Sequence, residues 1–196
     1  MITALEARRQ VFHMLLGMAC AFGLFWGIFS PFLFGAGLVV GLVVYLINIS
    51  RPIGLLQPLL KGFEREEDYK TRPGFGALML VSGVFLSSLF FERAIASAAI
   101  MVLALGDSVA PLVGHMGKLR HPLSNDPKKL LEGALAGLIA AFLGCLLFVS
   151  WPLAAVGSIV GMILEAIDLR LHREIDDNIM IPLGAGLAML LLSFIM

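Results

Sequence analysis

The sequence has little of what soluble catalytic domains are built from. Charged residues fill 14% of its 196 positions, acidic and basic side chains balance at 14 each, and only two cysteines, two tryptophans and two tyrosines occur. A formal charge of zero gives no basis for binding nucleic acid. Cys20 and Cys145 each fall near the middle of an apolar stretch, match no metal-ligand spacing and read as packing residues. His115, His121 and His172 also lack metal spacing among themselves and read as loop residues. Neither an internal repeat nor a low-complexity tract is visible, which argues against a transporter built from duplicated halves. No long period-two alternation is present, which excludes an outer-membrane barrel. No small-residue cleavage site follows the first apolar stretch, and Phe29, Ser30 and Pro31 lead directly into the next one. That first stretch is therefore expected to be retained, and neither a myristoylation start nor a prenylation end is expected.

What is present is hydrophobic: 59% of the residues, with a mean hydropathy of +0.95. Seven apolar stretches, 11–29, 31–49, 74–91, 94–113, 132–149, 152–164 and 179–195, each approximate a bilayer span of about 20 residues. The reading is an all-α integral membrane protein, a single domain over 1–196, with about seven transmembrane helices. All but one of the 14 lysines and arginines precede the first stretch or lie after the second, fourth and sixth; Arg93 is the exception. The positive-inside rule then puts the N-terminus and the long loops in the cytosol. Glycine pairs at helical spacing, Gly23/Gly27, Gly37/Gly41, Gly133/Gly137 and Gly157/Gly161, predict tight helix packing.

Asp107 is the sharpest residue, about six positions inside the cytosolic end of the fourth stretch. A carboxylate toward the bilayer's middle costs about 2.5–3.5 kcal/mol, so it should face the bundle interior, either as a ligand or metal group or paired with Lys or Arg. Pro111 cannot donate to the Asp107 carbonyl, and Gly106 lets another group approach. After this stretch, Asp126 and Pro127 read as N-cap and first residue of a helix. Lys128 and Lys129 would then occupy its first turn, where a bound phosphate would offset the unfavourable dipole; ordinary positive-inside flanking is the alternative. Glu132 follows as a dipole-favoured residue or a site carboxylate.

Glu165 and Asp168 share a helix face, and Glu174, Asp176, Asp177 and Asn178 lead into the seventh stretch. One of the last three is enough to cap that helix, and the surplus suits Mg²⁺. At the N-terminus, Glu6, Arg9, His13 and Gly17 line one helical face, as a polar anchor or part of a site. The run Phe63-Glu64-Arg65-Glu66-Glu67-Asp68 reads as a solvated loop.

In this order the motifs resemble the dolichol kinase family, which includes phytol kinases and CTP-dependent diacylglycerol kinases. Its opening Glu-x-x-Arg-Lys-x-x-His-x-x-x-Gly is matched by Glu6, Arg9, His13 and Gly17, with Gln10 in place of the Lys. Gly-Asp-x-x-Ala followed by Gly is matched by Gly106, Asp107, Ala110 and Gly114. Lys-Ser/Thr-x-Glu-Gly is matched by Lys129, Glu132 and Gly133, with Leu130 in place of the hydroxyl residue. The closing Asp-Asp-Asn with a downstream Pro is matched by Asp176, Asp177, Asn178 and Pro182, and Arg65 and Glu67 resemble an Arg-Glu stretch before the third span.

The resemblance implies a kinase that moves the γ-phosphoryl of CTP onto a membrane isoprenoid alcohol. On that reading Asp107, Asp177 and Lys129 are catalytic. Asp107, Asp176 and Asp177 hold Mg²⁺, and Lys118, Lys129, Glu132, Asn178, Arg9 and His13 bind the nucleotide. A CTP-dependent diacylglycerol kinase, a CDP-lipid-forming cytidylyltransferase and a cation- or proton-coupled transporter are the alternatives.

Overall fold

A computed structural model describes residues 2–124, 126–127, 129–167 and 176–196. Lys128, Asp168, His172 and Glu174, all singled out above, and the basic residues Arg170 and Arg173 lie outside the described residues.

Every one of the seven apolar stretches is helical. The helices are α1 (Ala4–Phe25), α2 (Pro31–Ser50), α5 (Phe75–Phe90), the continuous rod α6–α7 (Arg93–Gly114), α8 (Leu131–Cys145), α9 (Trp151–Ile167) and α10 (Asp177–Ser193). Two short helices, α3 (Gln57–Phe63) and α4 (Glu66–Thr71), fill the connection between α2 and α5. By length and composition two of them, Pro31–Ser50 and Arg93–Gly114, are suited to cross a membrane; α5, α8, α9 and α10 are apolar but shorter. The run from Phe63 to Asp68, expected as a solvated loop, instead ends α3 and begins α4.

Local chemistry sets the helix ends. The Thr3 hydroxyl accepts the Glu6 amide at the start of α1, and the Ser30 hydroxyl accepts that of Leu33 at the start of α2, where Pro31 supplies a preset φ. Between them Gly27 takes φ +74°, a conformation that lets the chain reverse within five residues.

The rod α6–α7 is the axis of the bundle, buried almost completely from Ile95 to Ala104. It is α-helical from Arg93 to Met101, π-helical over Val102–Asp107 and α-helical again over Ser108–Gly114. The π-helical turn ends on Asp107, and Pro111 follows it inside the helix.

Small residues bring the neighbours onto this rod. A methyl group at Gly17 of α1 would lie 2.6 Å from Ala104 Cβ. One at Gly137 of α8 would lie 2.7 Å from the Gly106 carbonyl oxygen, and one at Gly133 would lie 2.7 Å from Gly114 Cα and against the Ala110 carbonyl. Gly161 of α9 faces Val102. The expected packing therefore holds for Gly133/Gly137 and for Gly157/Gly161. The other two pairs behave differently: Gly23 packs on Phe29 of the following turn, Gly27 lies beyond the helix, and Gly37 faces open space.

The start of α8 also differs from the sequence reading. The helix begins at Leu131, not at Pro127, because Lys129 and Leu130 pair with the returning chain: His121 N–H donates to Lys129 O at 3.2 Å, and Arg120 and Leu130 form an antiparallel bridge. That pairing holds Leu130 at φ −114°, ψ 148°, so helical winding starts only after it. Asp126 is not a helix cap; its carbonyl accepts the Lys129 amide at 3.1 Å in a turn.

Gly133→Ala should cost about 1–3 kcal/mol, because the obstacles are backbone atoms of α7 that no rotamer change can move. Gly37→Ala, in open space on α2, should be neutral or gain up to about 1 kcal/mol of helix propensity. Thermal unfolding of both variants in detergent separates the two; equal melting points would contradict this packing.

Candidate functional site

The close approaches that build the bundle also assemble the polar residues. With Gly17 seated on Ala104, antiparallel α1 carries His13 to Asp107, where Nε2 and Oδ2 are 3.8 Å apart. Among the described residues His13 is the ion-pair neighbour of Asp107, so the expected alternative of a Lys or Arg partner is not seen there. Asp107 is also within electrostatic reach of Arg65 and Glu165, and His13 of Arg9 and Asp176. Residues from α1, the π-helical turn, the α3–α4 connection, α9 and the start of α10 thus share one field.

Two turns before His13, Glu6 gathers three donors. Arg9 binds it through Nη2 at 2.6 Å, Gln10 through Nε2 at 2.9 Å, and Arg65 from 59 residues away through Nη2 at 3.2 Å. Gln10, at the position where the resembled motif has Lys, is buried and holds the same carboxylate without adding a charge. Glu6 precedes the apolar stretch that begins at 11. Burial on its own would raise its carboxyl, but the hydrogen bonds and charges of Arg9 and Arg65 outweigh burial and hold it down at about 2.

Lys129 is engaged as well. Its Nζ lies 2.8 Å from Glu165 Oε1 and donates to the Glu165 backbone carbonyl in the last turn of α9, where a cation is favoured by the helix dipole. Glu165 was visible in the sequence only as one of several acidic residues; its burial, 8% exposed at the side chain, is a property of the fold. Glu132 acts on the loop: its carboxylate accepts the Lys118 amide at 2.8 Å and the Leu119 amide at 3.2 Å. Lys118 itself is exposed. Arg120, His121, Ser124, Asp126, Pro127 and Lys129 line an open cleft of about 240 Å³ next to it.

The start of α10 is sunk into the bundle. A Cβ at Gly83 would overlap the Asn178 carbonyl, so Asn178 abuts α5 eight residues past its start, a depth of roughly 12 Å at 1.5 Å per residue. Asp176 is the cap of α10, accepting from the Asn178 amide at 3.0 Å and from its side-chain nitrogen. Asp177 follows in the first turn. Four buried polar atoms near these charges have no hydrogen-bond partner: Gln10 Oε1, His13 Nε2, Ser108 Oγ and Asn178 Oδ1. Buried polar groups are satisfied in most proteins, and each of these four belongs to a residue that is, or directly adjoins, one of the charged residues above, which suits a polar ligand there. Among the described residues no three His, Cys, Asp or Glu side chains converge as a closed metal cage.

Two predictions follow from these pairs. Lys129→Ala leaves the Glu165 carboxylate buried and unpaired, and breaking a fully buried pair costs about 3–5 kcal/mol, an upper bound here because Lys129 is 21% exposed. Lys129→Met combined with Glu165→Gln should recover most of that loss in melting temperature; no recovery would mean that Lys129 stabilises through some other contact. For Glu6 the folded-state pKa is depressed, so its contribution is complete above the ordinary value of 4.5 and disappears as pH falls toward 2. The melting difference between the parent and Glu6→Gln should be flat above pH 5 and close below 4.5; a constant difference down to pH 2 would contradict it.

No family model and no solved structure matches the chain. It is 29% identical over 183 residues to an uncharacterized protein of Methanocaldococcus jannaschii, covering 90% of this chain and 88% of that protein. It is also 31% identical over 176 residues to dolichol kinase EVAN of Arabidopsis thaliana, covering 79% of this chain but 30% of the kinase. The chain is therefore similar to a dolichol kinase through most of its own length while spanning less than a third of the kinase's.

Proposed function

We propose that this protein is a multi-pass membrane kinase of the polyprenol kinase type, which transfers the γ-phosphoryl group of a nucleoside triphosphate, CTP by the motif resemblance, to the hydroxyl of an isoprenoid alcohol such as dolichol. The observation that carries the reading is the meeting of His13 with Asp107, and the electrostatic reach of His13 to Asp176 at the start of α10, inside an otherwise apolar bundle, on a chain similar to a dolichol kinase. All seven apolar helices cross the bilayer in this reading, and the excess of basic residues in the loops supports a site that faces the cytosol.

Phosphoryl transfer asks mainly for positioning and charge neutralisation, which a few charged groups in a low-dielectric recess supply. Arg9, His13, Lys118 and Lys129 meet the phosphates, with Lys129 leaving or sharing Glu165 to do so. Glu132 keeps the 115–130 loop in place through the Lys118 and Leu119 amides. The donor set suits Mg²⁺ brought in with the nucleotide: such an ion needs only one or two carboxylates beside phosphate oxygens and water. Asp107, Asp176 and Asp177 are the carboxylates for it, and the unpartnered Asn178 Oδ1 is an oxygen of the right kind. The ion would offset phosphate charge. Asp107 takes the proton of the acceptor hydroxyl as its oxygen bonds to the γ-phosphorus and the bond to the β-phosphate oxygen breaks, releasing the diphosphate.

The test is an assay of purified protein with labelled CTP, ATP and UTP against dolichol, geranylgeraniol and diacylglycerol. CDP and a phosphorylated isoprenoid are expected; pyrophosphate with a CDP-lipid would make it a cytidylyltransferase, and cation flux in liposomes without nucleotide a transporter. Asp107→Asn should abolish transfer while leaving melting unchanged or raised, because the neutral amide removes the cost of a recessed charge. Activity within about tenfold of the parent, some 1.4 kcal/mol of barrier, would refute the role of Asp107.

A further inference from the structure

The turn at Gly27 joins α1 to α2 within five residues, yet the two helices do not pack against each other along their lengths. Instead α1 rests on the α6–α7 rod, and α2 rests on α5, through a single stripe that includes Phe34, Gly35, Gly41 and Tyr45. The remaining surface of α2 is bare: only 11% of its apolar window is buried. At the turn the helices meet through the Phe29 and Phe34 rings, 5.7 Å apart. At the other end α3 spans the gap. Asn48 Oδ1 on α2 accepts from Ile53 N and Gln57 Nε2 at 2.9 Å each, and at the far end of α3 Phe63 stacks on Phe12 of α1 at 4.7 Å.

The result is a wedge. Its sides are α1 and α2, its apex is the Phe29/Phe34 contact, its base is α3 and its floor is α5. On α1, Arg9, His13, Leu16 and Cys20 fall within about 60° of one another at 100° per residue and are all half-buried, with Leu16 and Cys20 packed in part against the core. The polar members of this group lie at the base and the apolar ones higher up.

We propose that this wedge is the acceptor site, with the lipid's hydrocarbon chain lying between α1 and α2 over Leu16 and Cys20 and its hydroxyl at His13 and Asp107. The inference rests on the lipid-kinase reading above and adds the place and direction of access. The order of side chains along α1 supports that occupant: apolar Cys20 and Leu16, followed within one helical turn by a His–Asp pair, fit a long chain with a single terminal hydroxyl. The 51–73 segment is tied to both sides of the wedge, through Arg65 to Glu6 of α1 and through Ile53 and Gln57 to Asn48 of α2, so the base keeps its width.

The experiment uses the intact protein in nanodiscs and geranylgeraniol carrying a diazirine on its terminal isoprene unit, without nucleotide. Photoadducts are expected on residues 12–20 and 34–45, and excess unlabelled geranylgeraniol should remove them. Adducts confined to the outer faces of α8 and α9, or adducts that excess ligand does not displace, overturn the proposal. In turnover, Leu16→Trp should raise the acceptor KM at least about tenfold and leave the nucleotide KM unchanged, since a misfit of even one methylene in an apolar pocket is worth about tenfold or more. Leu15→Trp, on the exposed side of the same helix, should change neither. Competed adducts in a protein that phosphorylates no acceptor would sink the kinase reading and keep the lipid site. Transfer that is indifferent to Leu16→Trp would keep the kinase and sink the wedge.

Discussion

The structure depends on backbone-to-backbone approach along the α6–α7 rod. Gly17 on one side and Gly133 and Gly137 on the other let α1 and α8 come within contact of Ala104, Gly106, Ala110 and Gly114. In a bundle surrounded by lipid there is little hydrophobic gain in bringing two helices together, so van der Waals contact between closely fitted backbones has to supply the attraction. The same contacts fix axial register to within a residue. Because His13 is one turn from Gly17 and Asp107 one turn from Ala104, the register that satisfies packing also sets the His13–Asp107 separation at 3.8 Å.

Charges are held in a connected set around this register. Glu6 collects Arg9, Gln10 and Arg65, and Lys129 bridges to Glu165 at the end of α9. The Glu6–Arg65 and Lys129–Glu165 pairs join segments distant in sequence, so removing one of those partners loosens an element as well as a charge. Among the buried polar atoms left without hydrogen-bond partners are those of Gln10, His13, Ser108 and Asn178, on or beside the charged residues of this set. Burying such groups costs free energy that packing elsewhere has to offset, a pattern typical of functional sites rather than of structural cores.

Much of the fold was legible in the sequence. Apolar length marked seven helices, Thr3, Ser30 and Asp176 have the side chains of helix caps, and Asp107 stood out because a carboxylate in an apolar helix is expensive. Glycine spacing was informative for Gly133 and Gly137 but not for Gly37, since spacing says that two glycines share a face and not whether another helix covers it. The start of α8 was misread from Asp126 and Pro127, a sound local signal overridden by pairing of Lys129 and Leu130 with His121 and Arg120 earlier in the chain.

The sequence by itself determined which segments are helical, which charges lie near their ends, and that one carboxylate must face inward, because these follow from hydropathy and from properties of single residues. Only the tertiary structure decided that Arg65 reaches Glu6, that Lys129 pairs with Glu165, that Glu132 holds the Lys118 and Leu119 amides, and that α10 starts roughly 12 Å deep against Gly83. Those depend on the relative rotation and axial shift of helices far apart in the chain, which are fixed by close contacts between surfaces and leave no periodic trace in either partner alone.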